Sequence, residues 1–155
     1  MLTTHRVTAL AITAAVFVTV LVKVALILGI SPVVCMVAFG VYFATGGGLS
    51  GLIRSLASLL AGAFWQLIAN MLVVANESAL GDYRWLLFGT VVLIVILQSR
   101  IAVLSSVPGG LCGAAMAVSA PAPRPYGILV ATALIVGSLA GFGVELAAGR
   151  VAKQV

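Results

Sequence analysis

Along this chain, long apolar runs alternate with short clusters of glycine, proline and polar residues, and the clusters mark where each element ends. The first run, 7–29, ends at Gly29 and Ser31-Pro32, and a shorter one, 33–45, ends at Gly46, Gly47 and Gly48. A third covers about 50–75 and is followed by "NESALGDYR", the most polar loop of the chain. The fourth, 85–99, is closed by Arg100; the stretch 101–120 is cut by Pro108-Gly109-Gly110; the last run is 126–148. A spanning helix needs roughly 20 apolar residues, and backbone at membrane depth must satisfy its hydrogen bonds internally, so helices are the expected content. The pattern predicts a single all-α integral membrane domain over 1–155, a compact bundle of five to six transmembrane helices with no soluble domain.

Composition sharpens this picture. The chain is 63% hydrophobic and 7% charged, with a mean hydropathy of +1.31, whereas a soluble domain carries about 25% charged residues. The start, "MLTTHRVTALAITAAVFVTVLVKVALILGI", is basic and then apolar. Its apolar part outruns the roughly 7–15 residues of a signal h-region and no small-residue cleavage site ends it, so it reads as a first span.

The net charge of +5 comes from basic residues scattered singly at the ends of apolar runs. That placement orients a chain in a bilayer and does not suit nucleic acid. Residues 101–120 decide the count of spans. If they cross, Arg6, Arg54, Arg100, Arg150 and Lys153 lie inside against Arg84 and Arg124 outside. If they form a re-entrant half-helix, Arg6, Arg54, Arg100 and Arg124 stand against Arg84, Arg150 and Lys153. The positive-inside rule favours six spans. Lys23 and Glu145 argue for five, which would bring them to a similar depth, but a snorkelling lysine needs no partner.

The small and polar residues inside the runs are the candidates for function. Gly51, Ser55, Ser58 and Gly62 follow one another at helical spacing, continued by Trp65 and Ala69. Such a seam serves either packing between spans or docking of a partner. Gln66 and Asn70, at i and i+4 on the row of Gly62, are either a solute-contacting stripe or a hydrogen bond between helices. In "LSSVPGGLCGAAMAVSA", Pro108 suits a first helical turn and Gly109, Gly110 and Gly113 leave the helix bare; a kinked packing helix or a half-helix facing a cavity would both look like this. The expected solute path therefore comprises Gly62, Gln66, Asn70, Pro108, Gly109, Gly110 and Gly113, with packing at Gly51, Ser55, Ser58, Gly62, Gly137 and Gly141. Arg54, Arg100, Lys23 and Glu145 are read as charge anchors, Arg54 alternatively guarding a pore mouth and Glu145 meeting headgroups or Arg150. "NES" at Asn76 matches a glycosylation sequon, a match of little weight.

Cys35 and Cys112 sit in apolar stretches and are expected as reduced thiols; with one histidine, His5, neither a metal nor a cofactor is expected. There is no nucleophile elbow, no paired intramembrane carboxylates and no phosphate loop, since "GGGLSG" lacks the lysine, so no enzyme is expected.

Three motifs, "YFATGGGLSGL", "LLAGAFW" (Leu59 to Trp65) and "LSSVPGGLCGA" (Leu104 to Ala114), make the chain resemble the YcdZ-like bacterial inner-membrane proteins, a domain of unknown function, over about residues 30–148. The family commonly has a threonine and an aromatic after the Pro-Gly, where this chain has Gly110 and Leu111. The resemblance implies a compact multi-pass protein of the bacterial inner membrane and brings no substrate. A looser similarity is to one half of the urea channels, with glycine-rich spans and a half-helix around a path for a small neutral solute. The expectation is a homo-oligomeric channel or facilitator for a small uncharged or weakly polar solute, its partners being the lipid bilayer and its own copies. The alternative is a non-transporting membrane protein that binds a partner protein through its small-residue seams.

Overall fold

The computed structural model describes residues 4–76, 84–118 and 126–151, and among them every regular element is helical. The helices are α1 (Thr4–Ile27), α2 (Pro32–Ala44), α3 (Gly48–Ala75), α4 (Arg84–Gln98), α5 (Val107–Val118) and α6 (Tyr126–Val151). A 3-10 turn, Ala102–Leu104, precedes α5. Two helices, α3 and α6, are long and apolar enough to cross a membrane. At 1.5 Å per residue, α2 and α5, with 13 and 12 residues, are only about 20 and about 18 Å long. So the stretch 101–120 holds a helix well short of the roughly 30 Å hydrocarbon layer.

Local chemistry sets the ends. After α1, Gly29 takes φ +67°, and Gly29 N–H and Ile30 N–H donate to the carbonyls of Leu26 (3.3 Å) and Ala25 (3.0 Å). This is a Schellman stop, closed by the buried pair Ile30 and Ala25. Pro32 then opens α2 at a position where its missing N–H costs nothing. Between α2 and α3, Gly46, Gly47 and Gly48 all adopt positive φ (94°, 69° and 66°), a turn that side chains would resist. At the start of α5, the Ser106 hydroxyl accepts the N–H of Gly109 at 3.1 Å, an N-cap.

Contacts fix the directions. Gly48 meets Glu145 and Gly127 meets Leu67, so α3 and α6 run antiparallel. Cys35 faces Gly137 and Tyr42 faces Glu145, so α2 runs parallel to α6. Ser58 faces Gly109 and Asn70 faces Ala117, so α5 runs parallel to α3. The most extensive contacts in the molecule are α3 with α5 and α2 with α6.

These contacts obey an internal repeat. Adding 75 to eight of the ten buried positions of α3, Ser55, Ser58, Leu59, Gly62, Ala63, Gln66, Ala69 and Val73, gives Val130, Ala133, Leu134, Gly137, Ser138, Gly141, Val144 and Ala148, all buried in α6. Any two one-sided helices can be aligned by some shift. This shift also carries Val34, Cys35, Ala38 and Tyr42 of α2 onto Gly109, Gly110, Gly113 and Ala117 of α5, all of them buried. It further converts the contact of Gly62 with Gly110 into that of Gly137 with Cys35, and the pairing of Asn70 with Ala117 into that of Glu145 with Tyr42. The helix pairs α2–α3 and α5–α6 are therefore related by a pseudo-two-fold perpendicular to the long helices. Because α3 and α6 are antiparallel, the axis passes between the fully buried Leu59 and Leu134. The first turns of α2 and α5 lie beside this axis, and the two helices run from it to opposite ends.

Candidate functional site

Polar groups collect at three levels along the two long helices. At the first, where α3 begins, the Glu145 carboxylate accepts the Tyr42 hydroxyl proton and the Gly48 N–H at 2.7 Å. Tyr42 is 0% exposed; its ring packs edge-on to Phe142, with centroids 6.3 Å apart. A Cβ on Gly47 would stand 2.7 Å from Glu145 Oε2. The carboxylate thus sits on the first turn of α3, where the exposed N–H groups and the helix dipole favour negative charge. Sequence reasoning placed Glu145 among headgroups or beside Arg150; the structure gives it Tyr42 and the α2–α3 turn instead.

At the opposite end, Gln66 donates to Asn70 Oδ1 (3.0 Å) and Asn70 Nδ2 donates to the Ala117 carbonyl (3.2 Å). Gln66 is 2% exposed and Asn70 half-buried, and the row lies against α5. Trp65 Nε1 donates to Gln98 Oε1 at 3.1 Å, tying α3 to α4. An Asn70→Ala variant loses the hydrogen bond that ties α3 to the end of α5. We expect a loss of about 1 kcal/mol, near the upper range for hydrogen bonds between membrane helices, read as a lowered Tm in detergent.

Between the two ends, Ser58 and Ser138 are fully buried, and their hydroxyls have no hydrogen-bond partner. Both lie within about one turn of the axis level set by Leu59 and Leu134. The Ser55 hydroxyl, by contrast, bonds to the Leu52 carbonyl at 3.0 Å.

Of the four glycines of the expected path, Gly62 and Gly113 meet backbone, whereas Gly109 and Gly110 meet side chains, Gly110 that of Val95. A Cβ on Gly62 would fall on the Gly110 carbonyl, 2.7 Å from its carbon; one on Gly113 would fall on the Leu59 carbonyl, 2.8 Å from its carbon. Gly109 has Ser58 Cβ at 3.0 Å, and Pro108 is exposed. On α6, Gly137 faces the Cys35 carbonyl and Gly141 the Tyr42 ring, 2.7 Å from its Cδ1. Gly51 is buried beside Thr45. Arg54, Arg100, Arg150 and Lys23 are exposed; the side chains of His5, Arg6 and Arg84, and the whole of Arg124 and Lys153, lie outside the described residues. So do Glu77 and Ser78 of the sequon, while Asn76 caps α3. Cys35 is buried, Cys112 half-buried, and both are free; among the described residues no group of side chains could hold a metal. The sequence reading missed Tyr42, Gln98 and Ser138. A tyrosine four residues before three glycines was the one available signal.

These features define a class: among the described residues every regular element is helical, two helix pairs run in opposite directions, and two helices are long and apolar enough to cross a membrane. The chain belongs to the family described as protein of unknown function DUF1097, whose family model matches residues 11–149. It is similar to the uncharacterized protein YahC of Escherichia coli (strain K12), 38% identical over 81 residues that make up 50% of this chain and 49% of that protein. The chain thus matches about half the length of that curated relative. No solved structure matches.

Proposed function

We propose that this protein is a multi-pass protein of the bacterial inner membrane, a facilitator for a small uncharged or weakly polar solute that works as a homo-oligomer. The observation that carries the reading is the placement of α2 and α5: two half-length helices that begin beside the repeat axis and run to opposite ends. Membrane transporters and channels of inverted-repeat design bind solutes at the repeat interface near the midplane, aided by half-helix termini. Two positive helix ends at that level repel cations and leave neutral solutes free to enter. The unpartnered hydroxyls of Ser58 and Ser138 supply hydrogen-bonding capacity at the same level. In this reading the solute passes along the interface of the halves, with Gln66 and Asn70 at one mouth and Glu145 at the other. The resemblance of the three motifs to YcdZ-like proteins supports the inner-membrane setting.

The alternative, a non-transporting protein that docks a partner on its small-residue seams, has less support. The seams at Gly62 and Gly137 are already filled by α5 and α2 of the same chain.

The test is stopped-flow light scattering on proteoliposomes challenged with urea, formamide, glycerol and short amides. The expected result is faster equilibration than in empty liposomes for at least one solute. Rates equal to those of empty liposomes for all of them would remove the reading. Cysteines introduced at Gln66 and Asn70, in a background lacking Cys35 and Cys112, are expected to react with a water-soluble maleimide when the path is open.

A further inference from the structure

The pseudo-two-fold matches the two ends of the α3–α6 interface in position but not in chemistry. At one end Asn70, a neutral amide, holds the Ala117 carbonyl. At the equivalent place on the other end stands Glu145, the one acid among the described residues. It joins three separate pieces of chain: the end of α2 through Tyr42, the first turn of α3 through Gly48 N–H, and α6, which carries it.

We infer that Glu145 is a proton-controlled latch that closes this end of the repeat interface when ionised and releases it when protonated. The inference rests on the facilitator reading for its purpose, though not for its test. As a carboxylate, Glu145 accepts two charge-assisted hydrogen bonds at a helix N-terminus, each about twice as strong as a neutral one. A proton on either oxygen removes the charge, weakens both bonds and ends the attraction to the α3 dipole. Tyr42 is then held by packing and by weaker, neutral hydrogen bonds, and the three-glycine turn, with positive φ throughout and open space around Gly46 and Gly48, can swing. The Asn70 end has no such response.

The charged and titratable surroundings are few. From α2 comes the Tyr42 hydroxyl; α3 carries Arg54 and α6 itself carries Arg150, both exposed. On α1, Lys23 is exposed, while the side chains of His5 and Arg6 lie outside the described residues. α5 contributes no charged residue.

The experiment places spin labels on cysteines at Ala44 and Gly149, both exposed, in the full chain lacking Cys35 and Cys112. The distance between them is measured in nanodiscs at about pH 8 and about pH 3, on either side of the carboxylate range. A short distance at the higher pH and a longer population, at least about tenfold enriched, at the lower pH are expected. Glu145→Gln should give one distribution at both, and Arg150→Gln should keep the response. No response in the unaltered latch, or a response that survives Glu145→Gln, overturns the inference. Should Glu145→Gln fail to fold, Tyr42→Phe decides: it keeps the ring packed and removes one of the bonds that close the latch, so the longer population must be larger than the parent's at about pH 8, and an unchanged distribution overturns the inference. Because no flux is measured, this result stands apart from the solute test.

Discussion

Gly62→Ala is expected to cost more than about 3 kcal/mol, and Gly62→Leu to leave no folded protein. The added Cβ would coincide with the Gly110 carbonyl, a group fixed in the first turns of α5 that cannot rotate away as a side chain would. Helices α3 and α5 would have to part by roughly 1 Å, and a close-packed interior has no slack for that. Parting would also pull apart Gly113 and the Leu59 carbonyl on the same interface. The repeat makes the prediction sharper, because Gly137→Ala should be as damaging, meeting the Cys35 carbonyl in the same way. Gly40→Ala and Gly89→Ala are the controls: both glycines lie within helices with open space where a Cβ would go. There alanine should be neutral or stabilising by about 0.5–1 kcal/mol. Thermal unfolding in detergent, followed by circular dichroism, reads all four. A Gly62→Ala protein that melts with the parent would mean that α3 and α5 do not touch there.

The all-helical content was legible because breakers stand between the apolar runs and because an apolar chain has few other ways to pair its backbone. The seam of Gly51, Ser55, Ser58 and Gly62 was visible too, by its spacing, and all four residues are buried. Its occupant was not visible. A small-residue row says that something comes close, and only the structure assigns α5 to α3 and α2 to α6. The repeat escaped for a similar reason. At a separation of 75, Leu59 matches Leu134 and Gly62 matches Gly137, but Gln66 is aligned with Gly141, Ser55 with Val130 and Cys35 with Gly110. What the halves share is smallness at the crossings, which packing demands and residue identity does not record. The polar sites were half legible. Gln66 and Asn70 announce each other at i and i+4, whereas Glu145 and Tyr42 are joined across 103 positions.

That distant pairing gives the second large effect, at Gly47. Its backbone, φ 69° and ψ −169°, lies in a region essentially reserved for glycine, where strain alone costs of order 1–3 kcal/mol. Its missing Cβ is also the space occupied by Glu145, with Oε2 at 2.7 Å and Cδ at 3.2 Å. Gly47→Ala therefore strains the turn and also pushes the carboxylate off the Gly48 N–H and the Tyr42 hydroxyl, leaving a buried donor unmet at a further cost of about 1–3 kcal/mol. The two contributions separate in a double-mutant cycle. Glu145→Ala removes the obstacle, so adding Gly47→Ala to it should cost only the strain, giving a coupling of about 1–3 kcal/mol between the sites. Gly46→Ala, at φ +94° with open space around it, shows the size of the strain by itself. Additive effects at Gly47 and Glu145 would mean that the carboxylate does not rest on the glycine turn, and the latch would lose its contact with α3.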